Sequence, residues 1–185
     1  MKAGNYAYIP AGTNWSLKNT SNEPAKFHWV RKAYEQVEGI AKPEVFVTSD
    51  AAVKPTAMPG TNGTWATTRF VDPNDVRHDM HVNIVTFQPG GTIPFAETHV
   101  MEHGLYVLQG RGRYLLNQDW VEVGPGDFMW LRAFCPQACE ALPGPVAQTV
   151  DQAHQQEHRA QHRRDLLEVE QAQVEIKQLP ETAGT

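Results

Sequence analysis

The chain has 185 residues, with 16 Lys and Arg against 21 Asp and Glu, 41% hydrophobic residues and 2 Cys. That length can bury the core of one domain, or of one domain with pieces attached, while a formal charge of -5 argues against a nucleic-acid partner bound through phosphate neutralisation. Two cysteines exclude a disulfide-dense scaffold, no apolar run approaches the roughly 18 residues that cross a bilayer, and Met1-Lys2-Ala3-Gly4-Asn5 has no apolar leader, so a cytoplasmic protein without a membrane partner is expected.

Short apolar runs broken by Gly and Pro come first. Strands are expected at 5–9, 26–31, 65–70, 81–87, 104–109, 112–116, 120–123 and 128–131, with Pro10, Gly12, Pro89, Gly90, Gly91, Gly110, Asn117, Gly124, Pro125 and Gly126 as punctuation. Close spacing of short strands points to an all-β sandwich or barrel. Residues 36–62 hold Pro43, Pro55, Pro59 and Gly60 and read as a linker. The last aromatic side chain of the chain is Phe134. Beyond it, 151–179 contain no Gly or Pro and are rich in helix formers, yet Leu166, Leu167, Val169, Val174, Ile176 and Leu179 make a poor apolar stripe. A polar helix or a disordered tail is expected over 142–185.

The densest chemistry lies between Gly91 and Gly104. Glu97 and His99 are two apart, so a strand points them the same way, and His103 is four further on. Two imidazoles and a carboxylate form a good divalent-metal set, whereas one such His alone is ordinarily a surface residue.

Gly91, Glu97, His99, His103 and Gly110 occupy the marked positions of the first cupin motif, G-x5-H-x-H-x3,4-E-x6-G. Counted from Gly126, the ligand slot of the second motif, G-x5-P-x-G-x2-H-x3-N, falls on Gln137; Arg132, Phe134 and Ala141 stand at its Pro, Gly and Asn positions. The second motif also fits Gly4, Pro10, Gly12 and Asn19, with Trp15 in the ligand slot. Together with Asp79-Met80-His81-Val82-Asn83, Met101-Glu102-His103-Gly104-Leu105 and Asp127-Phe128-Met129-Trp130, this set resembles the bacterial (S)-ureidoglycine aminohydrolase family. The resemblance covers about Gly4 to Cys139. It implies a manganese bicupin of allantoin degradation that releases ammonia from (S)-ureidoglycine to give (S)-ureidoglycolate, and a homo-oligomer assembled through barrel faces. It implies Mn2+ ligands Glu97, His99, His103 and Gln137, with Glu97 also a candidate proton relay. Carboxylate, imidazole and amide donors without a thiolate suit that ion.

The expected architecture is an all-β cupin, a jelly-roll barrel. Residues 1–35 are the second half of a degenerate first cupin, 36–62 the linker, 63–141 the metal-binding cupin and 142–185 an unrelated tail. The family's last strand, with a Tyr and a Lys at the substrate, has no match after Cys139, and Pro143 and Pro145 cannot donate to a ladder. A missing strand beside the metal is therefore expected, with a shifted reading frame or rejoined gene near residue 143, and the front half of the first cupin is expected to be lost. Two rival functions are a non-catalytic cupin that binds a small molecule and another metal-cupin enzyme such as a dioxygenase or decarboxylase.

Remaining signals are weaker. His78 and His81 read as structural or as neighbours of the ligands; Arg69, Arg77 and Tyr106 are candidates for the cavity wall; Trp65, Trp120 and Trp130 read as core or subunit contacts. Gly110-Arg111-Gly112 lacks the third glycine of a dinucleotide loop. Cys135 and Cys139 read as free thiols. His154, His158 and His162 would share one face of a helix, chiefly as solvated residues.

Overall fold

The computed structural model describes residues 1–155 and 174–178, with side chains through Asp151. Among them the regular elements are all strands, paired antiparallel: β1 (Asn5–Tyr8), β2 (Trp15–Asn19), β3 (Phe46–Ser49), β4 (Thr56–Ala57), β5 (Trp65–Arg69), β6 (Met80–Phe87), β7 (Met101–Gln109), β8 (Gly112–Leu116), β9 (Asp119–Val123), β10 (Phe128–Leu131), β11 (Gln137–Ala141), β12 (Ala147–Gln155) and β13 (Val174–Gln178). No helix among the described residues is long and apolar enough to cross a membrane.

A six-stranded sheet runs β10-β7-β12-β6-β5-β4, and a three-stranded sheet β11-β8-β9. Alternation decides what lies between them. Along β7, Leu105 and Val107 share a face; on β10, Met129 and Leu131 do, while Phe128 and Trp130 turn to solvent. These inward residues and Phe87 meet Tyr114, Val123, Cys139 and Ala141 of the smaller sheet in one core. Phe87 and Leu131 are its fully buried large side chains, each contributing roughly 1.5–3 kcal/mol by burial. The result is the two-layered all-β barrel of a cupin.

Two motif glycines are fixed by contact. A Cβ at Gly91 would lie 2.4 Å from the carbonyl oxygen of Thr64. Gly110 has φ +75° and a Cβ there would lie 2.5 Å from the Cα of Ala147, so β7 can turn into β8 beneath β12 only with glycine.

Four expectations are corrected. Residues 26–31 form no strand; His28 instead lays its ring on Tyr106, centroids 4.4 Å apart, and Lys32 donates to the Asp79 carboxylate at 2.7 Å, so the segment is held by side chains. The 36–62 stretch contains β3, paired with β1, and β4, paired with β5. Most consequential is β12, which fills the sheet between β6 and β7 where a strand was expected to be missing. Pro143 and Pro145 lie before it, in the turn with Gly144 at φ +138°, where no ladder donor is needed. Its Ala147, Thr149 and Asp151 are all buried, alternating inward. Further on, β13 pairs with β2. His154 is in β12 and hence not on a helix; His158 and His162 lie outside the described residues.

Candidate metal centre

Strand phase brings the predicted residues together. His103 on β7 shares the inward face of Leu105 and Val107. Gln137 opens β11 on the face of Cys139 and Ala141 and is 3% exposed. Glu97 is bridged to Gln137 by two main-chain bonds, Glu97 N–H to Gln137 O and Gln137 N–H to Glu97 O, both 2.9 Å. Residues opposed in this way project to the same side of the sheet, so Glu97 follows Gln137 inward. His99 is held by the Phe134 N–H, which donates to its carbonyl at 2.7 Å.

The polar atoms converge. Nε2 of His99 lies 3.2 Å from Nε2 of His103 and 2.8 Å from the Gln137 side-chain nitrogen. Each imidazole has its other nitrogen engaged: Nδ1 of His99 is 3.2 Å from the Met101 carbonyl, and Nδ1 of His103 is 2.8 Å from Oδ1 of Asp151. Carbonyl and carboxylate oxygens only accept, so both Nδ1 atoms carry the proton. Both Nε2 atoms therefore present lone pairs. The Gln137 amide donates to that of His99, and one shared cation, a proton or a metal ion, bridges the two facing Nε2 atoms. Two nitrogens at that separation reach one ion with bonds of about 2.1 Å, and the engaged Nδ1 atoms are the outer support that ligating histidines usually carry.

The structure thus joins His99, His103 and Gln137 directly. Glu97 is brought to the same face without hydrogen bonding to either imidazole, and among the described residues no three His, Cys, Asp or Glu side chains form a metal-binding group. Tyr114, fully enclosed on β8, lies in the field of Cys139, Asp151 and Glu97; burial first, then these neighbours, hold its hydroxyl far above the usual phenol range. Burial also pushes the Cys139 thiol up to about 12, so it stays protonated. Both cysteines are free.

The weaker candidates separate. His81 faces inward beside Arg69, and burial followed by the Arg69 charge lowers its pKa. Arg77 is spent on Asp75, donating from Nε at 2.8 Å and from Nη2 at 2.6 Å, and His78 packs against Tyr8. An open cleft of about 310 Å³ between 43–46 and 70–78 contains none of the predicted ligands. Tyr106 faces outward to His28. Trp65 belongs to the core, whereas Trp120 and Trp130 are exposed and stack with Arg113 and Arg132. Sequence reasoning missed Asp151. Its only signal was phase: it stands two and four positions from Thr149 and Ala147 on one strand face.

The cupin domain model matches residues 83–142. Over 138 residues the chain is 30% identical to (S)-ureidoglycine aminohydrolase of Escherichia coli K12, covering 75% of this chain and 52% of that protein. It is 32% identical over 142 residues to (S)-ureidoglycine aminohydrolase of Arabidopsis thaliana, covering 77% of this chain and 46% of that one. The chain spans about half the length of these relatives. A crystal structure from Pseudomonas aeruginosa, of a protein named for induction by glyoxylate, is 54% identical with a TM-score of 0.80, over 88% of this chain and 61% of that chain. The polyketide cyclase RemF of Streptomyces resistomycificus, 22% identical with a TM-score of 0.51 over 58% of this chain and 77% of its own, shares the fold alone.

Proposed function

We infer, from this chain's similarity to (S)-ureidoglycine aminohydrolases and its cupin domain, that it carries the metal-binding half of a manganese-dependent hydrolase acting on (S)-ureidoglycine. Water replaces the α-amine: the C–N bond breaks, a C–O bond forms, and ammonia leaves (S)-ureidoglycolate behind. Glu97, His99, His103 and Gln137 would hold the ion. A bound Mn2+ supplies Lewis-acid charge for the substrate carboxylate.

The rest is work for the chain's own groups. His99 and His103 keep their lone pairs inward because Met101 and Asp151 hold the protons outside. Gln137, whose side-chain nitrogen faces His99 Nε2 at 2.8 Å, would turn its amide over to offer its oxygen to the ion. Glu97 carries the proton exchanged with the leaving amine. Tyr114 stays protonated behind them and keeps a neutral hydroxyl against two carboxylates. The reading includes cytoplasmic residence, a homo-oligomer, and no nucleic-acid or membrane partner.

The observation that carries the proposal is the meeting of two Nε2 lone pairs with Gln137 in the family's ligand slots. Purified chain incubated with Mn2+ and (S)-ureidoglycine should release ammonia without oxygen uptake. Oxygen consumption would point to a dioxygenase. Metal binding with no ammonia from (S)-ureidoglycine would sink the hydrolase reading and favour a small-molecule-binding cupin. That second reading has one feature on its side: residues 147–155 contain neither Tyr nor Lys.

A further inference from the structure

We infer that Asp151 is the positioning residue of His103, holding the imidazole proton on Nδ1 so that Nε2 stays open to a ligand. The inference rests on the metal reading above and assigns a group from β12, outside the resemblance and outside both cupin motifs.

In the ladder Asp151 stands opposite Leu105 of β7 on one side and Asn83 of β6 on the other. Its side chain faces the interior with Ala147 and Thr149, and the residue is 7% exposed. A carboxylate so enclosed requires a donor. The Nδ1–H of His103, at 2.8 Å, is the hydrogen-bond donor it has among the described residues.

The second nitrogen gives this bond a function. A neutral imidazole carries one N–H. If the His103 proton moved to Nε2, it would point at the Nε2 lone pair of His99, 3.2 Å away. It would compete there with the Gln137 amide, which donates at 2.8 Å, and close the ligand face. His99 cannot prevent this, because its own proton is held on Nδ1 by the Met101 carbonyl. Asp151 opposes the switch by accepting from His103 Nδ1 among the described residues. Ligand readiness is thereby tied to the docking of β12, since the strand that completes the sheet delivers the carboxylate.

The test reads the proton directly. Metal-free protein with 15N-labelled histidine, at a pH where the imidazoles are neutral, should show the His103 proton on Nδ1. Asp151→Ala, and Asp151→Leu with its volume kept, should move that proton to Nε2, leave His99 unchanged, and weaken binding of Zn(II) alone by about 10- to 100-fold. A wild-type proton on Nε2 overturns the inference without any variant, and so does an unaltered tautomer in a folded Asp151→Ala protein. If the tautomers behave as stated but wild type binds Zn(II) no better than His99→Ala, the metal reading fails while the Asp151 assignment stands.

Discussion

His99 and His103 face one another through Nε2 atoms 3.2 Å apart, each with Nδ1 committed elsewhere. A divalent ion bound between them would stabilise the folded state by mass action. At Mn2+ concentrations 100 times the dissociation constant, linkage stabilises the fold by about 2.7 kcal/mol. For a chain of this size that raises the thermal midpoint by about 5–10 °C. A chelator should reverse the shift, and His99→Ala should abolish it. An unchanged midpoint with saturating Mn2+ counts against the centre.

Phe134 occupies the glycine position of the second motif and adopts φ +61° while 66% exposed. A side chain there gains little burial and keeps the left-handed strain, about 1–2 kcal/mol for a residue with a Cβ. Phe134→Gly should therefore raise the thermal midpoint by about 2–4 °C, offset in part by glycine's greater unfolded-state freedom. Phe134→Ala should give no such gain, because the strain remains. Equal midpoints for Gly and Ala would show that the backbone is not the cause.

His28, His78 and His81 all have pKa values pushed below the ordinary histidine range, in each case chiefly by burial. The unfolded chain then binds more protons than the folded one as pH falls through about 6.5. Stability from these groups is complete above that value and is lost toward the lowered folded-state pKa values. Urea midpoints of metal-free protein should fall between pH 7.5 and 5.5. His28→Phe, which keeps a ring on Tyr106, should flatten that slope; an identical slope would remove His28 from the account.

The ligand set was readable because its information is local. Spacing of Glu97, His99 and His103 fixes their phase, and Gln137 sits at a fixed count from Gly126. Asp151 was not readable. Its role depends on β12 entering between two strands more than 40 residues earlier, as the pairing with Leu105 and Asn83 shows, and the absence of aromatics after Phe134 suggested no core strand at all. Small inward residues suffice there because Phe87 and Leu105 from the neighbouring strands fill the space. Residues 26–31 misled in the opposite way: they have strand-like composition, but the ring of Tyr106 and the carboxylate of Asp79 hold them without a ladder.

Because β12 lies in the middle of its sheet rather than at a margin, the barrel cannot be finished in the order in which it is synthesised. A ribosome that has released β6 and β7 leaves a slot one strand wide, with unsatisfied main-chain groups on both lips. Closure waits for residues 147–155. Until then the nascent chain offers two sticky edges to any neighbour, and chaperone demand should peak in that interval rather than earlier in translation.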